Sequence, residues 1–192
     1  MAFLERKKQP VKVRGPALGL IEVSSIARGL VLADAMVKRS PVELVFARPI
    51  SPGKQVVLVS GEVAEVDEAM QAGGAVAGAT LVDQLELAQA ASPLLLALGG
   101  TLAEPRDALG IIETASVASS LLAADSACKA AEVGLCELRL GDGIGGKGYF
   151  VLTGDQANVE AALHAAATVV RPDLLQGREL IARPHADLLP HF

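Results

Sequence analysis

The residues Gly141-Asp142-Gly143-Ile144-Gly145-Gly146 spell the Gly-x-Gly-x-x-Gly spacing that cradles a dinucleotide. That chemistry needs the pattern to follow a strand and to open a helix whose N-terminus receives the pyrophosphate. Here Gly148 to Gly154 reads as a further strand, so the loop is a flexible glycine-rich hairpin and nucleotide binding is not expected. His164 falls on an amphipathic stretch with no acid placed to meet it, and His185 and His191 lie near the C-terminus; all three read as solvated or structural. No His-Glu-x-x-His, Cys-x-x-Cys or Gly-Lys-Ser/Thr element occurs, so no catalytic residue and no metal ligand is assigned. Glu22 and Glu113 recur at matching places, which fits either a paired acid or a structural role.

That recurrence is part of an internal duplication. Ala17-Leu18-Gly19-Leu20-Ile21-Glu22 returns as Ala108-Leu109-Gly110-Ile111-Ile112-Glu113, and the same offset of 91 carries Ser25 onto Ser116, Asp34 onto Asp125, Lys38 onto Lys129 and Arg48 onto Arg139. At an offset of 93 the match resumes with Lys54 on Lys147, Gly61 on Gly154, Val66 on Val159, Glu86 on Glu179 and Leu87 on Leu180. A unit this long is a folding domain, since solenoid blades repeat every ~20–50 residues. The repeat also bears on the two cysteines: Cys128 stands where the first copy has Val37, and Cys136 where it has Val45. Both therefore read as small core residues.

The elements that position these residues follow from the apolar pattern. Residues 17 to 23 form a strand covered on at least one face, and Ser24 or Ser25 caps a helix with Ile26, Leu30, Ala33 and Val37 on one side. The second copy repeats that stripe as Val117, Leu121, Ala124 and Cys128. Strands over Val42 to Ile50 and Gln55 to Ser60 are joined by the turn Ser51-Pro52-Gly53-Lys54. A second helix follows with Val63, Val66, Met70 and Gly73 inward, then a strand near Leu85 to Ala90 and a Leu-rich helical piece. The expected class is α+β, with two tandem copies of a ferredoxin-like domain, each a mixed or antiparallel sheet with helices packed on it. The domains expected are 17–98 and 108–192, joined by a linker at 99–107 that contains Gly99-Gly100 and Pro105.

Composition narrows the possibilities. The chain is 51% apolar but only 3% aromatic, so its cores are built from small aliphatic side chains. No stretch approaches the ~20 apolar residues of a membrane span, and Glu5, Arg6, Lys7 and Lys8 stand where the apolar core of a signal peptide would fall, so a soluble intracellular protein is expected. Residues 1–16 carry a net +4 within an overall -5, which leaves the rest strongly acidic. That arm lacks aromatic residues placed to stack on bases, and it reads as a solvated, partly disordered extension with no nucleic-acid or membrane partner.

Taken together, Ala-Leu-Gly-x-Ile-Glu, the following Ala-Asp-x-x-x-Lys, the glycine-containing hairpin and the closing Ile181-Ala182-Arg183-Pro184-His185 resemble the bacterial microcompartment shell proteins. Two domains in one chain resemble the tandem-domain, trimer-forming class, most like the unpermuted propanediol-utilisation T-type. The resemblance spans residues 17 to 188. It implies a non-enzymatic homotrimeric, pseudohexameric tile that joins other shell proteins around an encapsulated pathway in the cytoplasm. It implies that Ser51, Pro52 and Gly53 line a central pore for small metabolites. Gly143, Ile144 and Gly145 are a second set of pore candidates, on a loop that either lines the same pore or folds away from it. Lys38, Lys129 and Arg183 are implied as tile-edge contacts, although Asp34 with Lys38 and Asp125 with Lys129 are also ordinary helical ion pairs at four-residue spacing. Arg183 has only Ala90 opposite it in the first copy, so three of the six corners lack that side chain. Some relatives hold an iron-sulfur cluster by a cysteine where Ser51 stands; a hard hydroxyl does not replace a soft thiolate, so no cofactor is expected. A small-molecule-binding or regulatory protein of ferredoxin-like fold, with a ligand between the copies, is the alternative, and a small enzyme of the same topology is a third possibility.

Overall fold

Ser25 and Ser116 each start a helix by the same device, a side-chain oxygen accepting from the backbone N–H three residues on, Arg28 at 3.2 Å and Ser119 at 3.1 Å. Around these caps the computed structural model, which describes residues 12–192, builds the same unit twice. The first domain runs β1 (Ala17–Val23), α1 (Ile26–Arg39), β2 (Glu43–Ile50), β3 (Lys54–Gly61), α2 (Val63–Ala77), β4 (Leu81–Leu87) and α3 (Ser92–Leu98). The second runs β5 (Ala108–Thr114), α4 (Val117–Ala130), β6 (Gly134–Leu140), β7 (Gly148–Gly154), α5 (Gln156–Val169) and β8 (Leu175–Ala182). It closes on a single 3-10 turn at Leu189–His191 where the first domain has α3. Arg6, Lys7 and Lys8 of the basic arm lie outside the described residues. The end of the arm is docked: Arg14 donates to both carboxylate oxygens of Glu65 at 2.9 Å, and its backbone N–H bonds Ser60 Oγ.

Each sheet has four strands, in the orders β2-β3-β1-β4 and β6-β7-β5-β8, and every pairing between these strands is antiparallel. Ile21 faces Val57 and Ile112 faces Phe150, so the offsets of 91 and 93 hold in the pairing register. The last strand departs from them. Gly19 lies opposite Glu86, but Gly110 lies opposite Leu180, so the counterpart of Glu86 is Leu180 and not Glu179, and that of Leu87 is Ile181. The connection before β8 is one residue longer than that before β4, and the register recovers after the strand: Ala90 N–H bonds Pro16 O and Arg183 N–H bonds Asp107 O. Ala90 and Arg183 are thus equivalent. The last strand of the first domain also begins at Leu81, earlier than the apolar run at Leu85 indicates, because Asp83 lies within it.

One face of each sheet packs on its own two helices. In the first domain that layer is Ala17, Ile21, Val23, Val57 and Val59 against Leu32, Ala33, Met36, Val66, Ala69 and Met70. The buried side of α1 is therefore Gly29, Leu32, Ala33 and Met36. Of the stripe read from the sequence only Ala33 is buried, while Ile26, Leu30 and Val37 are 40%, 56% and 39% exposed. In α4 the corresponding Val117, Leu121 and Ala124 are fully buried, because the opposite face of the first sheet lies on them. That face carries Leu18, Leu20, Val56, Leu58, Leu85 and Leu87, and it joins α3 and α4 in one continuous core.

Gly29 illustrates how the two copies diverged in step. A Cβ there would lie 3.1 Å from Val23 Cγ2 and closer still to Gln55, whose buried amide has no partner. In the second domain the filling is reversed: Gly148 replaces Gln55, and Ser120 replaces Gly29 and stands over it. Glycine to alanine inside a helix ordinarily stabilises by roughly 0.5–1 kcal/mol. Overpacking reverses the sign, so Gly29→Ala is expected to destabilise by about 1–3 kcal/mol. Combining Gly29→Ser with Gln55→Gly is expected to recover most of that loss in thermal unfolding; an alanine variant that melts above wild type would contradict this packing.

Candidate functional site

Three groups of residues meet where the domains join. Glu22, on the outer face of β1, is fully buried and ion-paired to Lys54 at the start of β3. Its other oxygen accepts from the backbone N–H of Val117 at 3.0 Å, so it caps the first turn of a helix in the other domain. Burial raises its pKa above the usual carboxylate value, opposed by hydrogen bonding and charge from Lys54 and by the Val117 N–H. A raised folded value means that this carboxyl's contribution to stability is greatest below about pH 4.5 and declines as pH rises through the folded pKa. Beside it, Asp83 of β4 accepts from the hydroxyls of Ser116 and of Ser119, the latter at 3.1 Å. Farther along, Asp125 of α4 accepts the Ala91 N–H at 2.7 Å and holds Lys129 at 2.6 Å.

The two hairpins are neighbours. Arg48 reaches from β2 to Asp142 at 2.7 Å and to Leu140 O at 3.1 Å, its guanidinium over the Phe46 ring at 4.4 Å. Lys54 Nζ also donates to Gly146 O at 3.2 Å. A side chain on Gly141 would meet Ile50 at 2.7 Å, so only glycine permits this approach. Ser51, Pro52 and Gly53 are exposed at the first tip, with Gly53 at φ 121° and open space around it. The second loop bends back over its own sheet, where Ile144 joins Ile111, Glu113, Lys147 and Tyr149 around a cavity of about 440 Å³.

The remaining candidates are spread out. Lys38 is 73% exposed and pairs with Asp34 at 2.6 Å on the outer surface of α1. Arg183 is exposed, with φ 56°. His164, His185 and His191 are all exposed, and His185 Nδ1 lies 3.5 Å from Asp187. Among the described residues no group of His, Cys, Asp and Glu is arranged to hold a metal ion. Burial pushes the Cys128 thiol up to about 12 and the Cys136 thiol up to about 11, which keeps both protonated at neutral pH and fits their reading as core residues. A cleft of about 450 Å³ does lie between the copies, lined by Phe46, Arg48, Leu98, Arg139 and Phe192 among others. Its two guanidinium groups are already paired, Arg48 with Asp142 and Arg139 with Glu137. Asp83 escaped the sequence reading because its register partner in the second copy is Gly177, so the repeat gave it no emphasis.

Two antiparallel α+β units joined through the outer face of one sheet define a tandem-domain protein. The BMC domain family model matches residues 17–90 and again 108–184. Over 174 residues, 90% of this chain and 95% of the relative, it is 39% identical to the bacterial microcompartment shell protein PduT of Citrobacter freundii. The shell protein PduA of the same organism is 41% identical over 61 residues, 32% of this chain and 66% of that one. A crystal structure of a microcompartment protein from Desulfitobacterium hafniense DCB superposes with a TM-score of 0.82 at 41% identity, covering 90% of this chain and 97% of the other. The chain belongs to the BMC-domain family, as a bacterial microcompartment shell protein that carries the domain twice. The family is a structural one, and no helix among the described residues is long and apolar enough to cross a membrane.

Removing the Glu22 carboxylate strands both Lys54 and the Val117 N–H in a buried place. Glu22→Ala is expected to cost about 3–5 kcal/mol, read from the urea midpoint. A loss below 1 kcal/mol would mean that the joint does not depend on this carboxylate.

Proposed function

We propose that three copies of this chain close into a flat ring of six domains that tiles the facet of a microcompartment shell, with the Ser51-Pro52-Gly53 hairpins around a central pore. The comparison of α1 with α4 carries this reading. Ile26, Ala27, Arg28, Leu30, Val31 and Asp34 are exposed, whereas their counterparts in α4 are covered, all but partly covered Leu122 being buried. The outer face of the second sheet is likewise only partly covered, by Leu188, Leu189 and Phe192 from the C-terminal segment. A chain with one free helix and one free sheet face makes a head-to-tail contact, which must either close into a ring or grow into a filament. Six near-equivalent domains give a hexagonal outline, and hexagons tile a plane.

The two hairpins lie at one corner of the chain, so threefold closure brings three such pairs together. The Ser51 hydroxyls and nearby backbone amides then form a small polar constriction able to hydrogen-bond a passing metabolite or anion. These donors are hard and neutral and do not match the thiolates of an iron-sulfur cluster, so the pore works without one. Lys38, Lys129 and Arg183 meet neighbouring tiles at the rim, and because Ala90 stands opposite Arg183, the guanidinium contact is made at three corners of six. The tile has no turnover of its own, and its partners are other copies and other shell proteins.

Leu30→Asp places a charge in the uncovered stripe. Wild type is expected to sediment as a trimer and to form sheets or tubes in electron micrographs at higher concentration, and the variant as a folded monomer without sheets. A monomeric wild type would contradict the ring. For the pore, Ser51→Cys is expected to gain oxygen-sensitive visible absorbance after iron-sulfide reconstitution, since three thiols then converge; a colourless trimer with three separate thiols would move the hairpins off the axis.

A further inference from the structure

The cleft between the copies takes a wall from each domain and one from the segment that links them. Phe46 comes from β2, Leu98 from α3, Leu102 from the linker, Leu138 from β6 and Phe192 from the C-terminal segment, around about 450 Å³. Leu102 is 47% exposed, and Phe46 and Phe192 are half-buried, so among the described residues this apolar surface stays open. A small anion finds no free charge there, because Arg48 and Arg139 already hold Asp142 and Glu137.

The way the chain enters points to an occupant. Residues 1–11 lie outside the described residues, and those that follow are anchored at this joint. Arg14 N–H bonds Ser60 Oγ, and Val13 packs on the same core that supplies Phe46, Leu98 and Leu138 to the cleft. Eleven extended residues span about 36 Å, several times the dimension of a cleft of this volume. Their order also fits. Met1, Phe3 and Leu4 are apolar and Arg6, Lys7 and Lys8 follow them, in a chain that is acidic overall. Glu43 stands opposite Ser60, beside the anchor, and Glu137 and Asp142 lie at the cleft wall. An arm that folds back from Val13 therefore lays its basic residues past these acids before its apolar end meets the apolar wall. The phenylalanines carry the same message. Of the four in the chain, Phe150 is buried in the second domain, Phe46 and Phe192 line the cleft, and Phe3 is on the arm. Aromatic rings gain from such clustering beyond the area that they bury.

We propose that the N-terminal arm is a strap across the joint of its own chain, with Phe3 and Leu4 seated between Phe46, Leu102 and Phe192 and with Arg6, Lys7 and Lys8 along the neighbouring acids. It ties β2 of the first domain to β6 of the second from outside. Anchoring at Val13 and Arg14 favours this occupant over a free peptide of the same sequence, because a tethered segment acts at an effective concentration on the order of millimolar. The seat lies within one chain and stands whether or not the ring forms.

Trypsin reads the arm directly, since it cuts after Arg6, Lys7 and Lys8. Wild type is expected to lose the arm about tenfold more slowly than Phe3→Asp or Leu102→Asp, with both domains intact in each. Leu102 is exposed enough to take a charge without unfolding the protein. Equal cleavage rates in all three proteins would overturn the strap. A second readout locates it. With photoreactive benzoyl-phenylalanine in place of Phe3, irradiation is expected to give adducts at monomer mass on a denaturing gel, on peptides that contain Phe46, Leu102, Leu138 or Phe192. Adducts at dimer mass would make a second copy the occupant, and adducts on other peptides, or none, would put the arm elsewhere; each of these overturns the proposal.

Discussion

A carboxylate withdrawn from water must find partners for its charge, and Glu22 finds them in two domains at once. Lys54, which starts the strand after the first hairpin, satisfies one oxygen, and the first turn of α4 satisfies the other. Because Lys54 also holds Gly146 O of the second hairpin, a single ion pair sets the sheet, the helix of the neighbouring domain and the spacing of the two loops. The surrounding apolar surface supplies most of the favourable free energy, but it is non-directional. Glu22, with Asp83 and Asp125, supplies the register with which one domain sits on the other.

Duplication gave this joint two versions, one consumed inside the chain and one left open. The open version kept its acid, its lysine and its arginine, and it changed the residues around them in pairs. Gln55 with Gly29 became Gly148 with Ser120, and Asp83, which faces Ser119, became Gly177. The first exchange moves the side chain that fills the gap from the strand to the helix, and the second removes one from the strand. A hexamer of identical domains could not vary its contacts this way, whereas a tandem chain has two independent sequences for the same geometric task.

The architecture was legible in the sequence because the repeat aligned strand with strand and cap with cap: Ser25 with Ser116, and the Ala-Leu-Gly strands with each other. What misled was α1, where Ile26, Leu30 and Val37 make a regular apolar stripe that points away from the domain's own core. Periodicity records that a face is apolar and not what covers it, and here the two faces of α1 are both apolar. The last strand was misaligned by one residue because similar letters, Glu86 and Glu179, outweighed a single inserted residue that only the hydrogen-bond register reveals. Glu22 was visible as a recurring acid, but its role was not, since the Val117 N–H that it holds is a backbone group in the other domain.

In the proposed ring the contact between chains repeats the contact within the chain. A cryo-electron microscopy structure of the assembled sheet measures this directly. It should place α1 of one copy on the outer face of the second domain of the next, with the three Ser51 residues facing a common axis. A sheet in which α1 packs against anything else, or in which the Ser51 hairpins point to the rim, would contradict the account.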